Sequence, residues 1–355
     1  MTSALDGKPV PSATRQEFYR RLREKNAAPL WEVLANLVTP QPKPRCVPAL
    51  WKYEDMRALL MESGGLITAQ EAERRVLILE NPGIPGMSQI TQSLYAGLQL
   101  VLPGESAPTH RHTASALRFI LESDAGFTAV DGEKTTMRPG DFIVTPSWTY
   151  HDHGNPGAGP AIRPVIWMDV LDLPIINMLD ASFSDHHPQG TQPLTRPDGD
   201  AQARYGANLF PVDYEPSRNT TPVFSYPYAR SREALDRVQR GGPLHPCHGF
   251  KMRYVNPATG GSPMPAIGTF LQLLPKGFAG SAHRSTDSTI FCVVEGSGRT
   301  RIGDTTFPWT QHDIFIAPSW MPVSHSSDSE AVLFSASDRP LQQMLGFWRE
   351  EAPTS

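Results

Sequence analysis

The rhythm of hydrophobic and polar positions changes near residue 76. Before it, apolar residues recur three or four positions apart, as at Phe18 and Leu22 or at Leu34 and Leu37. This spacing is typical of amphipathic helices. It predicts four helices, at residues 14–26, 30–37, 53–62 and 69–75, with a proline-rich break after the second helix.

From residue 76 onward, short apolar runs alternate with glycine and proline turns. The runs include VLILENPG, LYAGLQLVLPG, LRFILE, DFIVTPSW and PVIWMDV. Short strands punctuated by turn residues are typical of a β sandwich or barrel. The pattern fades over residues 174–249, where a helix is predicted at 229–240, and returns in FLQLLPKG, TIFCVVEGSG and DIFIAPSW. A last helix is predicted at 340–350.

The two β-rich segments are copies of each other. The Leu98–Leu100 tripeptide recurs at Leu271–Leu273, and the Pro-Ser-Trp sequence ending at Trp148 recurs with its last residue at Trp320, offsets of 173 and 172 residues. The nearly constant offset predicts two tandem copies of one β domain, with both tryptophans in the core. The predicted regions are a helical extension at 1–75, a first barrel at 76–175, an irregular linker at 176–249, a second barrel at 250–339 and a tail at 340–355.

Charge and composition exclude several classes of protein. The 32 basic and 36 acidic residues give a net charge of −4, and no basic run indicates nucleic-acid binding. No apolar stretch approaches the roughly 20 residues of a membrane span, and the N-terminus lacks the apolar core of a signal peptide. The three cysteines, Cys46, Cys247 and Cys292, are scattered and odd in number, which argues against a disulfide framework. We expect a soluble, cytoplasmic protein.

The stretch THRHTASALRF carries the first candidate chemistry. His110 and His112 are two residues apart, so on a strand they face the same side. Gly104 precedes them at the spacing G(x)5HxH, the opening of the first cupin motif. The later stretch GDFIVTPSWTYHDHGN matches the second cupin motif and supplies His151, with Trp148 in place of a glycine. The chain therefore resembles a bicupin, with an all-β core of two double-stranded β-helix barrels of jelly-roll type and a helical N-terminal extension.

The expected metal site consists of three histidines. The first cupin motif usually supplies a glutamate after HxH, but Ala116 and Leu117 stand at those positions. His110, His112 and His151 remain, and three neutral imidazoles suit zinc, iron, copper or nickel. Ligand type therefore leaves the metal open. The alternative is that the histidines persist in a cupin without a metal.

Arg118 follows the histidines and gives the predicted site a cationic group. An unpaired guanidinium is costly in a barrel interior, and its planar fork matches a carboxylate. We therefore expect the site to receive a small acid. The alternative is an internal ion pair, for example with Glu122.

The stretches APTHRHTASALRFILE, LYAGLQLVLPGE, TPSWTYHDHGN and WMDVLDLP resemble the gentisate 1,2-dioxygenase family, which includes salicylate and 1-hydroxy-2-naphthoate dioxygenases. The resemblance runs from about residue 70 to the C-terminus. It implies one Fe(II) per chain in the N-terminal barrel, a homotetramer, and a reaction of O2 with a small aromatic hydroxy acid. For gentisate, the ring would open between the carboxyl-bearing and the adjacent hydroxyl-bearing carbon to give maleylpyruvate.

The resemblance also implies residue roles. The three histidines would be the iron ligands, and Arg118 would bind the substrate carboxylate. The residues that would line or support the substrate pocket are Arg74, Arg75, Tyr95, Gln99, His153 and Asp169. Each has a structural alternative: the arginines as helix-end cations, of which we expect one to reach the pocket, Tyr95 as packing and His153 as a loop cap. Gln99 recurs as Gln272 in the second copy, so a structural role in the barrel fits Gln99 as well as a catalytic role does. Asp169 is expected to orient a neighbouring side chain.

Other functional hypotheses also fit the sequence. Salicylate or 1-hydroxy-2-naphthoate share the carboxylate and ortho-hydroxyl groups that iron and Arg118 require. A metal-dependent cupin isomerase and a non-catalytic cupin fit the same motifs.

The repeat predicts that the second barrel holds no iron. His283 retains the position of His110, but Ser285 stands opposite His112 and Val323 opposite His151. Phe291 replaces Arg118. We expect the second barrel to be a structural half.

Overall fold

A computed structural model describes residues 12–157, 162–215 and 220–352 of the chain. Two compact units share the chain, residues 1–43 and 44–355. The first unit contains helices α1 (Ala13–Glu24) and α2 (Leu30–Leu37). The hydroxyl of Tyr19 donates to Glu32 over 2.5 Å and accepts from the indole of Trp31 over 2.9 Å, which ties these two helices together.

The second unit is built mainly from strands. Its helices are α3 (Tyr53–Leu66), α4 (Ala69–Ala72), α5 (Leu173–Met178), α6 (Asp200–Tyr205), α7 (Tyr228–Gly241) and α8 (Arg339–Met344). Its first twelve strands are β1 (Ala49–Trp51), β2 (Val76–Ile78), β3 (Tyr95–Val101), β4 (Ser106–His112), β5 (Ala116–Glu122), β6 (Phe127–Val130), β7 (Glu133–Thr136), β8 (Phe142–Thr145), β9 (His151–Gly154), β10 (Val165–Leu171), β11 (Ser184–His186) and β12 (Ser225–Tyr226). The others are β13 (Phe250–Arg253), β14 (Gly268–Leu274), β15 (Arg284–Ser285), β16 (Thr289–Glu295), β17 (Gly298–Ile302), β18 (Thr305–Trp309), β19 (Ile314–Ala317), β20 (Val323–Ser327), β21 (Ala331–Ser337) and β22 (Glu350–Glu351).

The predicted helix at 340–350 is wrong over its second half. Helix α8 ends at Met344, and Gly346 follows with a φ of 78°. A left-handed residue just after the last turn ends a helix, and glycine adopts it without steric cost. The chain then returns as strand β22, which pairs with β15 through Ser285 and Glu350.

The first barrel closes two antiparallel sheets over each other. The larger sheet has the order β12-β8-β5-β10-β3-β2, and the smaller has the order β11-β4-β9-β6-β7. Alternate residues of each strand face the interior. This interior is packed at one end by Val101, Ile120, Met137, Ile143, Val165 and Trp167. The other end is free of that cluster, and the candidate site lies there.

The second barrel repeats this arrangement. Its larger sheet has the order β1-β19-β16-β21-β14-β13, and its smaller sheet has the order β18-β17-β20. The large sheets of both barrels contribute outward-facing residues to one continuous core. Phe119 stacks on Phe334 there, with ring centroids 4.2 Å apart. Short strands from connecting segments join the large sheets, because β1 pairs with β19 and β12 with β8.

The prediction that Trp148 is a core residue is wrong. Its side chain is 39% exposed, and its φ is 57°, the left-handed conformation that the glycine of the motif adopts freely. The guanidinium of Arg111 lies 4.5 Å from its ring. Trp320 has the same conformation, with a φ of 62°, and Arg284 lies 4.6 Å from its ring. The repeated tryptophan therefore serves as a stacking surface for a repeated arginine.

No helix within the described part of the chain combines the length and the apolar character that crossing a membrane requires.

Candidate active site

Three histidines converge inside the first barrel from neighbouring strands of the small sheet. His110 on β4 lies opposite His151 on β9, and His112 follows on the same face of β4. The ring centroids of His110 and His151 are 4.2 Å apart, and those of His112 and His151 are 4.9 Å apart. One ligand nitrogen from each ring lies within 4.8 Å of the others.

Backbone carbonyls orient two of the three imidazoles. Nδ1 of His112 donates to the carbonyl of Ala114 over 2.7 Å, and Nδ1 of His151 donates to that of Thr149 over 2.9 Å. Each proton on Nδ1 leaves the Nε2 lone pair free for a metal, as is usual for ligating histidines. The third ring, His110, instead has its Nδ1 against Nη2 of Arg74.

The electrostatic environment keeps all three rings neutral. Burial lowers the pKa of His110 to about 2, and the charge of Arg74 acts in the same direction. Burial lowers the pKa of His112 to about 4 and that of His151 well below its ordinary value. Neutral imidazole is the form that binds metal ions. Three converging neutral imidazoles therefore fit a divalent transition metal.

Arg118 reaches the site from β5 in the opposite sheet. Its side chain is buried, and its Nη1 donates to Thr145 Oγ1 over 2.5 Å. Its Nε lies 3.8 Å from Oδ1 of Asp169 and has no hydrogen-bond partner among the described residues. Burial lowers the pKa of Arg118 to about 10, and the Asp169 carboxylate opposes that shift. The guanidinium is therefore charged at neutral pH and incompletely paired.

The suggested internal ion pair between Arg118 and Glu122 is wrong. Glu122 accepts from Arg57 over 2.6 Å and from the hydroxyl of Tyr53 over 2.7 Å. A break in strand alternation explains this. Residues four apart on a straight strand share a face, but β5 pairs irregularly with β10 between Ile120 and Glu122, so Glu122 does not follow the face of Arg118.

Asp169 lies directly opposite Arg118, on the adjacent strand β10. Burial raises its pKa to about 6, and the Arg118 charge counteracts that rise. Tyr95 lies nearby at the start of β3. Burial, followed by the negative charge of Asp169, raises the pKa of the Tyr95 hydroxyl. Tyr95 is therefore a neutral hydroxyl at physiological pH.

His153 is a second buried imidazole on the face of β9 that carries His151. Thr128 Oγ1 donates to the carbonyl of Asp152 over 3.0 Å and lies 2.9 Å from Nδ1 of His153. A hydroxyl has a single proton, so here Nδ1 of His153 must be the donor. Burial and the charge of Arg118 lower the pKa of His153 well below its ordinary value. Nε2 of His153 is therefore an unprotonated acceptor.

The two neighbouring arginines diverge. Arg74 lies at the cavity, where Nη2 also donates to the carbonyl of Pro108 over 2.8 Å. Arg75 does not reach the cavity, so its assignment to the substrate is wrong. It donates to both carboxylate oxygens of Glu105, over 2.7 and 2.9 Å. Strand alternation is the reason: Val76, the first residue of β2, faces the cavity, and so does Arg74 two positions earlier.

A cavity of about 230 Å³ unites the site. It is lined by Arg74, Val76, Tyr95, Gln99, His110, His112, Ala116, Arg118, His151, His153, Asp169, Leu171 and Leu173. Nine of these residues are the predicted ones. No local pattern indicated the apolar wall of Val76, Leu171 and Leu173, or the roles of Thr128 and Thr145, because these depend on register between distant strands.

Comparisons with known proteins agree with this architecture. Residues 97–167 match the family model described as a cupin domain. The chain is 55% identical over 343 residues to gentisate 1,2-dioxygenase 1 of Aquipseudomonas alcaligenes, covering 97% of this chain and 98% of the relative. It is 35% identical to 5-aminosalicylate 1,2-dioxygenase of a Comamonas species, covering 94% and 89%.

A solved structure of a related enzyme has the same fold. The salicylate 1,2-dioxygenase of Pseudoaminobacter salicylatoxidans, determined as an adduct with gentisate, superposes with a TM-score of 0.92 at 30% identity. The match covers 98% of this chain and 96% of that one.

Proposed function

The chain belongs to the gentisate 1,2-dioxygenase family, and from that premise we propose that it opens the ring of gentisate (2,5-dihydroxybenzoate) with O2. The bond between the carboxyl-bearing carbon and the adjacent hydroxyl-bearing carbon breaks, both oxygen atoms enter the product, and the product is maleylpyruvate. One observation carries the proposal. A single cavity contains three converging neutral imidazoles and a buried, incompletely paired guanidinium.

Fe(II) is the proposed cofactor, one catalytic ion per chain, with His110, His112 and His151 as its ligands. When bound, it supplies the electrons that make O2 reactive toward the ring and offers open positions for substrate. The convergence of the three rings and the carbonyl partners of His112 and His151 support this assignment.

Arg118 is the residue that we propose binds the substrate carboxylate. Its free Nε and charged guanidinium leave a donor facing the cavity, and Asp169 at 3.8 Å is too distant to satisfy it. A bidentate carboxylate would complete its hydrogen bonds. Asp169 then balances part of the Arg118 charge, and Arg74 adds a second cation at the cavity.

His153 is the proposed acceptor for a substrate hydroxyl. Thr128 fixes its proton on Nδ1, so that Nε2 is free to accept a hydrogen bond. A hydrogen bond from the substrate hydroxyl to Nε2 leaves more electron density on the hydroxyl oxygen and the ring, and an electron-rich ring reacts more readily with O2. Tyr95 and Gln99 are proposed to orient the ring from the opposite sheet, a role supported by their place in the cavity wall.

The size of the cavity favours a single aromatic ring. An apolar cavity of about 150 Å³ holds benzene, so about 230 Å³ admits one ring with small substituents. This supports gentisate or salicylate over 1-hydroxy-2-naphthoate, which has two fused rings. Salicylate is the second candidate, because it presents the same carboxylate and ortho-hydroxyl to Arg118 and iron.

Oxygen uptake by protein loaded anaerobically with Fe(II) tests the proposal. We expect rapid uptake with gentisate, one O2 consumed per maleylpyruvate formed, and much slower uptake with salicylate and 1-hydroxy-2-naphthoate. Faster turnover of salicylate would make the second candidate correct. Absence of uptake with every hydroxybenzoate, by protein that retains iron, would contradict dioxygenase activity.

We also propose a homotetramer in the cytoplasm. Apolar side chains of α2 exposed to solvent, such as Leu30 at 54% and Leu37 at 67%, support burial against other subunits. The cysteines Cys46, Cys247 and Cys292 are unpaired and buried, as in proteins of reducing compartments. Light scattering of the purified protein measures the subunit number directly.

A further inference from the structure

The second barrel has a small cavity at the position of the active-site cavity. Lys251 on β13 lies opposite Gln272, as Val76 lies opposite Gln99 in the first barrel. His283 neighbours Val323 through a β-bridge. Both Lys251 and His283 line the cavity, whose volume is about 30 Å³. A cavity of this volume has room for a metal ion or a water molecule but not for an aromatic ring.

Three potential metal ligands meet at this cavity. One ligand atom each from His248, His283 and Glu350 lies within 4.8 Å of the others. The rings of His248 and His283 are nearly perpendicular, at 80°, with centroids 4.3 Å apart. His248 comes from the segment before β13, and Glu350 comes from β22. Both therefore enter from outside the positions that supply ligands in the first barrel.

The imidazoles of this cluster are incompletely satisfied. Nδ1 of His248 and Nδ1 of His283 are both buried without a hydrogen-bond partner among the described residues. Buried polar atoms in native proteins normally have a partner, and an unobserved ion is one explanation for an exception. Burial is the main reason that both rings are neutral. Each ring thus offers an unprotonated nitrogen.

We propose that His248, His283 and Glu350 bind one divalent first-row transition-metal ion in the second barrel. Two histidines and a carboxylate are a common ligand set for zinc and for non-haem iron. The expectation of a metal-free second barrel rests on Ser285 and Val323, whereas the candidate ligands His248 and Glu350 come from other segments. This site is independent of the proposed iron site in the first barrel.

The role of this ion is structural. Strand β22 pairs with β15, where Glu350 lies opposite Ser285 and Glu351 forms an ion pair with Arg284 over 2.6 Å. An ion shared between Glu350 and the two histidines would fasten the C-terminal strand across the mouth of the barrel. The cavity is too small for catalysis on a ring like the one proposed for the first barrel.

Three cations, Lys251, Arg284 and Arg339, and a second carboxylate, Asp287, also face the cavity. The Lys251 ammonium lies 4.8 Å from the ring of Phe270, and Arg339 stacks at 3.9 Å on Trp348. Asp287 accepts from the indole of Trp348 over 2.8 Å. Lys251 repels an incoming cation, and the same charge would attract an anion. Removal of Lys251 therefore changes cation and anion binding in opposite directions.

Cobalt(II) binding to the metal-free full chain tests the proposal. We expect two Co²⁺ per wild-type chain by metal analysis, and one in a His110→Ala/His112→Ala variant that lacks the first site. In that variant, His283→Ala or Glu350→Gln should weaken Co²⁺ binding by more than the roughly 10–100-fold typical of losing an outer partner. Glu351→Gln is the matched control, because it perturbs the same strand without removing a ligand, and it should keep the ion.

Lys251→Met in the same background separates a cation site from an anion site. We expect it to bind Co²⁺ several-fold more tightly by calorimetry, with the visible absorption of Co²⁺ ligated by protein. One Co²⁺ per wild-type chain overturns the proposal, and so does Co²⁺ binding in the first-site variant that survives His283→Ala. Binding of chloride or phosphate that is lost in Lys251→Met, without Co²⁺ binding, would make the cavity an anion site. Should the first-site variant fail to fold, the ratio of two ions in wild type to one in His283→Ala decides.

Discussion

Nε of Arg118 lies 3.8 Å from Oδ1 of Asp169, across the adjacent strands β5 and β10. Both side chains are buried, yet the contact is longer than a hydrogen bond and Nε has no other partner among the described residues. A buried charge left incompletely paired costs free energy. A carboxylate ligand would recover part of it, and this makes the pair the most informative place for mutation.

Arg118→Lys should retain iron and bind gentisate poorly. Lysine keeps the charge but loses the planar fork, so the exchange is not conservative at a bidentate site. Truncating one partner of a buried charge pair costs at least about 2 kcal/mol, or roughly 30-fold in affinity. We therefore expect KM to rise by at least about 30-fold in oxygen-uptake assays. Arg57→Lys, at an arginine paired with Glu122 instead, is the control. Unchanged KM and kcat in Arg118→Ala would assign Arg118 to structure alone.

Asp169→Asn should separate stability from substrate binding. It removes the carboxylate nearest to Arg118, so the free energy of unfolding should fall by roughly 1–3 kcal/mol. The freed guanidinium should then bind the substrate carboxylate as well as before or better. Urea unfolding and KM measure the two effects. A large rise in KM with intact iron would mean instead that Asp169 contacts the substrate.

The sequence was sufficient for those parts of the site that local rules determine. His110 and His112 share a face because a strand alternates, and His151 follows from the spacing of the second motif. The repeated segments predicted two barrels because a constant offset reports duplication. These inferences need no knowledge of which strands are neighbours.

The remainder depended on contacts between distant segments. Arg118 and Asp169 are 51 residues apart, and only the register of β5 with β10 brings them together. Arg74 and Arg75 immediately precede β2 and point to opposite sides of the chain, but the uninterrupted apolar run VLIL does not indicate which side faces the cavity. Glu350 meets His283 because the tail forms a strand where a helix was expected. Tertiary pairing overrides local propensity in such segments.

His151→Ala should abolish activity and remove the iron of the first barrel. Two imidazoles without a third protein ligand leave the proposed site incomplete. His186→Ala is the matched control, since His186 is exposed on the neighbouring strand β11 and should keep both iron and activity. Iron analysis after anaerobic loading, together with oxygen uptake, gives both readouts. An active, iron-loaded His151→Ala protein would remove it from the ligand set.

Arg74→Met and Arg75→Met should have opposite consequences. Arg75→Met leaves Glu105 without its bidentate partner, so unfolding free energy should fall by roughly 2–3 kcal/mol with KM unchanged. Arg74→Met removes a cation from the cavity wall, so KM should rise with little change in stability. Thermal melting and oxygen uptake on both variants test the contrast. The reverse pattern would show that Arg75 binds substrate and that Arg74 stabilises the fold.

Acid should destabilise the metal-free protein through its buried histidines. His151, His153 and His325 are each at most 2% exposed, and burial lowers the pKa of each well below its ordinary value. Below about pH 6.5 the unfolded chain takes up protons on these rings and the native state does not, so stability falls as pH falls and is flat above that pH. At pH 5.5, each ring that stays neutral in the native state should lower the free energy of unfolding by about 1.4 kcal/mol relative to its value above pH 6.5.

His325→Gln isolates this effect from other titrating groups. Buried carboxyls such as Asp169, whose pKa is raised to about 6, act in the opposite sense, because the native state takes up their protons first as pH falls. They are common to both proteins, so they cancel in the comparison. His325 hydrogen-bonds Thr300 in the second barrel, away from the proposed iron ligands, and glutamine keeps a polar partner there. Urea unfolding of EDTA-treated protein at pH 7.5 and 5.5 should therefore show an acid-induced loss smaller by about 1.4 kcal/mol in His325→Gln than in wild type. An equal loss in both proteins would mean that His325 is protonated in the native state, and the neutral assignment of this buried ring would be wrong.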